Sequence, residues 1–134
     1  MRILLISLWL LATSALAAQA LPATPWARAE AFASCSGQMS ALAAHQRALR
    51  DDAAEGTEIS RESFDTLLQA VLPDAMRHGV PASQPKEWRT GGWATMAVLL
   101  ADMLYSFDAH RSDRARDMLT ARIRDCDRLV GRAG

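Results

Sequence analysis

Between residues 26 and 50, Trp26, Ala29, Phe32, Ala33, Cys35, Met39, Leu42, Ala43 and Leu49 recur mostly at three- and four-residue steps. That spacing gathers them on one face of an α-helix. Arg28, Glu30, Gln38 and Arg47 fall on the other side. Thr24 supplies a cap and Pro25 takes the first helical position, where a missing N–H costs nothing. Gly37 costs about 1 kcal/mol relative to Ala inside a helix, a loss that close contact with a neighbouring helix would offset. The polar stretch Asp51 to Thr57, with Gly56, reads as a turn.

A second stripe follows in Phe64, Leu67, Leu68, Val71, Leu72, Ala75 and Met76, with Thr57 or Ser60 and Ser63 as its start. Pro73 lies inside it, where it removes a backbone hydrogen bond and crowds the preceding turn. A kink near residue 70, or a break into two short helices, is expected. Gly79, Pro81 and Pro85 form a connection. The third stripe is the most apolar: Trp88, Trp93, Met96, Leu99, Leu100, Met103, Leu104 and Phe107. Ser83 precedes Pro85 as its cap, and Gly91-Gly92 delays regular helix to about Thr90. The fourth runs from about Ser112 to Val130, with Ala115, Met118, Leu119, Ile123, Cys126 and Leu129 on one side. No stretch alternates with period two and carries β-branched residues. The expected fold is all-α, a small up-down four-helix bundle with its second helix kinked at Pro73.

The first twenty residues read as an address rather than as structure. Met1-Arg2 is a positive start, Ile3 to Leu11 is almost continuously apolar, and Ala15-Leu16-Ala17 and Ala18-Gln19-Ala20 are small-residue cleavage sites. This is the layout of a secretory signal peptide. It is short for a membrane span, which needs about 20 residues. Cleavage follows Ala17 or Ala20 and leaves residues 21–134 as one helical domain. The expected location is the bacterial periplasm or the exterior, with membrane contact only through the leader before cleavage. No Asn occurs in the chain, so N-linked glycosylation is excluded.

The 134 residues carry fifteen basic and fifteen acidic side chains. Loss of the leader removes Arg2 and leaves fourteen basic groups against fifteen acidic ones. A nucleic-acid binder needs a basic excess to displace counterions from phosphates, so no nucleic-acid partner is expected. In an up-down bundle the first and last helices are antiparallel neighbours. Cys35, in the first half of helix 1, then comes level with Cys126, near the end of helix 4. Export places both in an oxidising compartment, so a Cys35–Cys126 disulfide is expected. With no C-x-x-C, the bridge is structural rather than redox-active.

The chemistry-bearing residues form no recognisable constellation. His45, His78 and His110 lack metal-ligand spacing; His78 and His110 fit helix ends, and His45 sits near a stripe edge. Met39, Met76, Met96, Met103 and Met118 occupy stripe positions and read as core rather than copper ligands. Asp102 lies in the most apolar helix, on the side of Thr95 and Ser106. It faces solvent, or, if buried, pairs with an Arg of helix 4 such as Arg122. Glu58 and Glu62 are an acid pair on a solvated face rather than a glycosidase dyad. Helix 4 and its flanks carry seven Arg against four Asp in a solvated, interspersed pattern.

These features favour a non-catalytic module that binds another envelope protein or plays a structural role, without a cofactor. Trp88, Arg89 and Trp93, with Lys86 and two glycines, have the composition of an anchor patch. The same rings could instead cap one end of the core. The alternative is a periplasmic bundle that holds a small ligand or metal through Met, His45 or Asp102.

Overall fold

A computed structural model describes residues 21–131; the expected leader and its expected cleavage sites lie outside them. Four helices account for nearly all of this span: α1 (Pro25–Ala48), α2 (Ala53–Arg77), α3 (Gln84–Tyr105) and α4 (Ala109–Leu129). Among the described residues there is no strand. The fold is all-α, and the Cys35–Cys126 bridge is formed, with the two Cα atoms 5.7 Å apart.

Local chemistry sets the helix ends. Thr24 caps α1 by accepting from the Ala27 N–H at 3.1 Å, with Pro25 at the first position. The α2 C-terminus closes at Gly79, whose φ of 96° suits glycine. The Gly79 N–H donates to the Met76 carbonyl, and the Val80 N–H to the Ala75 carbonyl. This Schellman pattern tucks Val80 into the core. Asp108 caps α4 by accepting from the His110 and Arg111 N–H groups.

Several boundaries differ from the sequence reading. The first turn is short, and α2 begins at Ala53, taking in Gly56. The Thr57, Ser60 and Ser63 hydroxyls do not cap; they bond back to the carbonyls of Ala53, Gly56 and Ile59 within the helix. The α2 helix also runs through Pro73 without a break into two. In α3, regular helix starts at Gln84 and passes through Gly91-Gly92. The α4 helix starts at Ala109, so His110 lies in its first turn and not at the end of α3.

The directions alternate along the chain, but the packing is not a square. The α1 helix packs along both α2 and α3, α4 packs mainly along α3, and α1 meets α4 over a small area. The α2 and α3 backbones do not approach each other. Trp26 meets Trp88 and Gly37 lies beside Trp93, so α1 and α3 run parallel. The pair that would be diagonal in a square bundle is therefore in direct contact. Crowding from several sides explains why α1 is buried continuously from Cys35 to Met39. Gln38, placed on the solvent side by its spacing, is buried for the same reason. The core joins Phe32, Met39, Leu42, Phe64, Leu68, Met96, Leu99 and Leu100 to Leu119 and the disulfide.

Candidate functional site

The closest approach of α1 and α3 organises the surface features. Gly37 lies against the main chain of Arg89 and Trp93, and Gly92 against the main chain of Ser34. A β-carbon at either glycine would overlap a carbonyl oxygen of the other helix. Two backbones this close leave shallow depressions on either side of Trp93.

One depression, of about 350 Å³, is lined by Ser36, Ser40, Arg61, Asp65, Arg89 and Trp93, among others. Its centre is Asp65. One carboxylate oxygen accepts from the Ser36 hydroxyl at 2.7 Å and from Arg89 Nη2 at 2.6 Å and Nε at 3.1 Å. The other accepts from Arg61 Nη1 at 2.5 Å. A single acid thus ties α2 to α1 and α3. Partial burial pushes the Asp65 carboxyl up, but the Ser36 hydroxyl and the Arg89 and Arg61 guanidiniums outweigh it and hold the carboxyl below its ordinary range. Arg61 also donates to Glu58 at 2.6 Å, which with Arg47 holds the Glu58 carboxyl down against partial burial. Asp65 thus receives four donor contacts, and Glu58 one on each carboxylate oxygen.

The second depression, of about 240 Å³, lies towards the ends of α1 and α3. Ala41, Ala44 and His45 form one wall; Trp93, Ala97, Leu100, Ala101, Leu104 and Tyr105 form the other. It opens onto an unusual helix face. At about 100° per residue, Trp93, Leu104, Ala97, Thr90, Ala101, Ala94, Tyr105, Val98 and Gly91 succeed one another around α3. All are exposed except half-buried Ala97, and none is charged. A helix that is apolar on every side is ordinarily buried, yet this face of α3 is open.

The structure separates the residues of the expected patch. Trp88 is half-buried against the core and meets Trp26 edge to face, with ring centroids 5.8 Å apart. Arg89 is committed to Asp65. Trp93 alone of the three is exposed. Asp102 is half-buried and accepts from Arg111 Nη2 at 2.7 Å, so its partner on α4 is Arg111 and not Arg122. His45 is half-buried at the apolar depression. His78 caps α2, its Nδ1 lying 2.9 Å from the Asp74 carbonyl oxygen. Met39 and Met96 are buried, whereas Met76 and Met118 are exposed rather than core. Among the described residues, no group of three or more His, Cys, Asp or Glu is placed to hold a metal ion. No helix there is long and apolar enough to cross a membrane.

Asp65 was missed by sequence reasoning, although a signal was present. On the helical wheel it falls between Leu72 and Met76, an acid inside an apolar stripe, with Arg61 four residues before it. Comparison with family models, with curated proteins and with solved structures gives no match.

Proposed function

We propose that this chain is an exported, non-catalytic protein-binding module of the bacterial envelope, and that it binds through the open face of α3. One observation carries this reading: Trp93 stands exposed at the edge of a charge-free helix face about four turns long. Surfaces of this kind are where binding energy concentrates, since Trp offers a large, rigid, apolar area. The leader-like start and the disulfide support placement outside the cytoplasm.

Site-specific photocrosslinking in the producing cell tests it. A photoreactive residue at Ala97 should give a discrete protein adduct. The same group at Arg124, on the charged side of α4, should not. Absence of any adduct from Ala97, with the protein folded and exported, would overturn the reading.

A small-ligand reading draws on the depression around Asp65. Its test is native mass spectrometry of the exported protein, where a stoichiometric added mass lost on Asp65→Asn would favour it.

A further inference from the structure

The open face of α3 has a shape that specifies its own partner. Thr90, Ala94, Ala97 and Ala101 form a low central ridge, with Trp93 and Leu104 along one side and Val98 and Tyr105 along the other. We infer that this face binds a second copy of the chain, with the two α3 helices packed antiparallel about a two-fold axis near Ala97. The inference rests on the protein-binding reading above and names the partner.

Register is the first argument. A two-fold axis through Ala97 brings residues equally far before and after it to the same level. Trp93 and Ala101 each lie four residues away, about 6 Å along the helix at 1.5 Å per residue. Thr90 and Leu104 each lie seven residues away, about 10 Å by the same rise. Trp93 of one copy is then level with Ala101 of the other, and Leu104 with Thr90. Trp93 and Leu104, the two bulky side chains on one side of the ridge, each meet a smaller one, the self-complementarity that an isologous interface requires. An axis two residues further along would set Trp93 level with Tyr105 and lose that match.

Charge is the second argument. Identical surfaces bring identical charges together, and between Thr90 and Tyr105 this face has none to oppose; the exposed Lys86 and Glu87 lie on the same side of α3 but before Thr90, beyond the matched positions. Asp102, at its border, is already neutralised by Arg111.

Area is the third. Exposure runs from 44% for Leu104 through 48% for Trp93 and 58% for Val98 to 76% for Tyr105. Aromatic side chains carry about 150–250 Å² each, so with the alanines the face offers on the order of 500 Å², in the upper part of the roughly 300–600 Å² of the largest patch on a monomer, which is often functional. Two such faces reach about 1,000 Å², the lower limit of a specific interface. The dimer is therefore a dissociable one.

Sedimentation velocity of the exported protein, disulfide intact, tests this from nanomolar to the highest soluble concentration. The expected result is a concentration-dependent rise from monomer to twice the monomer mass. Ala101→Arg, at an exposed position, should abolish the rise while leaving the circular dichroism unchanged. Ala97→Cys should form an intermolecular disulfide on mild oxidation, and Thr95→Cys, outside the face, should not. A wild-type monomer at every concentration would overturn the inference, as would equal crosslinking by the two cysteine variants. A folded monomer whose Ala97 photocrosslinker captures a different protein would overturn self-association alone and leave the binding reading standing.

Discussion

Gly37 in α1 lies so close to the Arg89 carbonyl in α3 that a β-carbon there would overlap the oxygen, and Gly92 stands in the same relation to Ser34. Each glycine gives up about 1 kcal/mol of helix propensity relative to Ala. The contact they allow is backbone against backbone, which no rotamer change can relieve. Gly37→Ala and Gly92→Ala should therefore each destabilise by on the order of 3 kcal/mol, the upper end of overpacking costs. Gly56 and Gly91 are helical glycines with open space at the β-carbon position. Gly56→Ala and Gly91→Ala should each stabilise by about 0.5–1 kcal/mol. Urea unfolding of the four variants checks both signs together.

Asp65 gives the fold a pH-dependent component of defined sign. Its folded pKa lies below the unfolded value, so the unfolded chain takes up the proton first as pH falls. The stabilisation is complete well above the unfolded value of about 3.9 and is lost as pH falls through the lower folded value. Asp65→Asn keeps the shape but removes the charge that two guanidiniums address. It should cost about 1.5–3 kcal/mol near neutral pH, the range for hydrogen bonds to charged groups. The gap to wild type should close in acid. Urea titrations of both proteins across that range measure it, and a gap independent of pH would contradict the assignment.

The disulfide is the main link between α4 and α1, which otherwise meet over a small area. It joins residues 91 apart in sequence. On the chain-entropy model, closing a loop of this length contributes on the order of 4–5 kcal/mol. Cys35→Ser with Cys126→Ser should lose most of that, and α4 should open before α1 and α2 do. Hydrogen exchange would show this as a selective loss of protection in α4. Intact mass under non-reducing conditions should be about two daltons below that of the reduced chain, the two thiol hydrogens lost on bridging.

The helices were legible from periodicity because three- and four-residue spacing is a local property, and the sulfur pair was legible because it follows from alternating direction. Helix starts were less so. Ser and Thr both cap helices and sit inside them, and Thr57, Ser60 and Ser63 bond to carbonyls of their own helix. The pair Gly91-Gly92 resembles a break when read alone and proves to be continuous helix, because the surface that Gly92 matches belongs to α1. Asp65 depends on partners 24 and 29 residues away. Arg111, nine residues from Asp102, was hidden by placing the start of α4 too late. The partners of Asp65 and the match of Gly92 to α1 lie in contacts between helices, which a wheel drawn for one helix can flag but cannot identify.

The two tryptophans of α3 allow stability and binding to be separated. They are five residues apart and so about 140° apart around the helix, which sends them to opposite duties. Trp88 packs on the core and on Trp26, an edge-to-face pair worth about 0.5–1.5 kcal/mol beyond its buried area. Trp88→Ala should cost on the order of 2–3 kcal/mol, somewhat below the cost for a fully buried aromatic. Trp93 has nearly half its surface in solvent, and Trp93→Ala should change stability by less than about 1 kcal/mol. Its effect should fall on association instead, with loss of the crosslink from Ala97 and of the concentration-dependent mass increase. Thermal melts and sedimentation of the two variants read the two roles independently. If Trp88→Ala weakened association with stability unchanged, Trp88 and not Trp93 would be the anchor, and the binding face would have to be sought at the other end of α3.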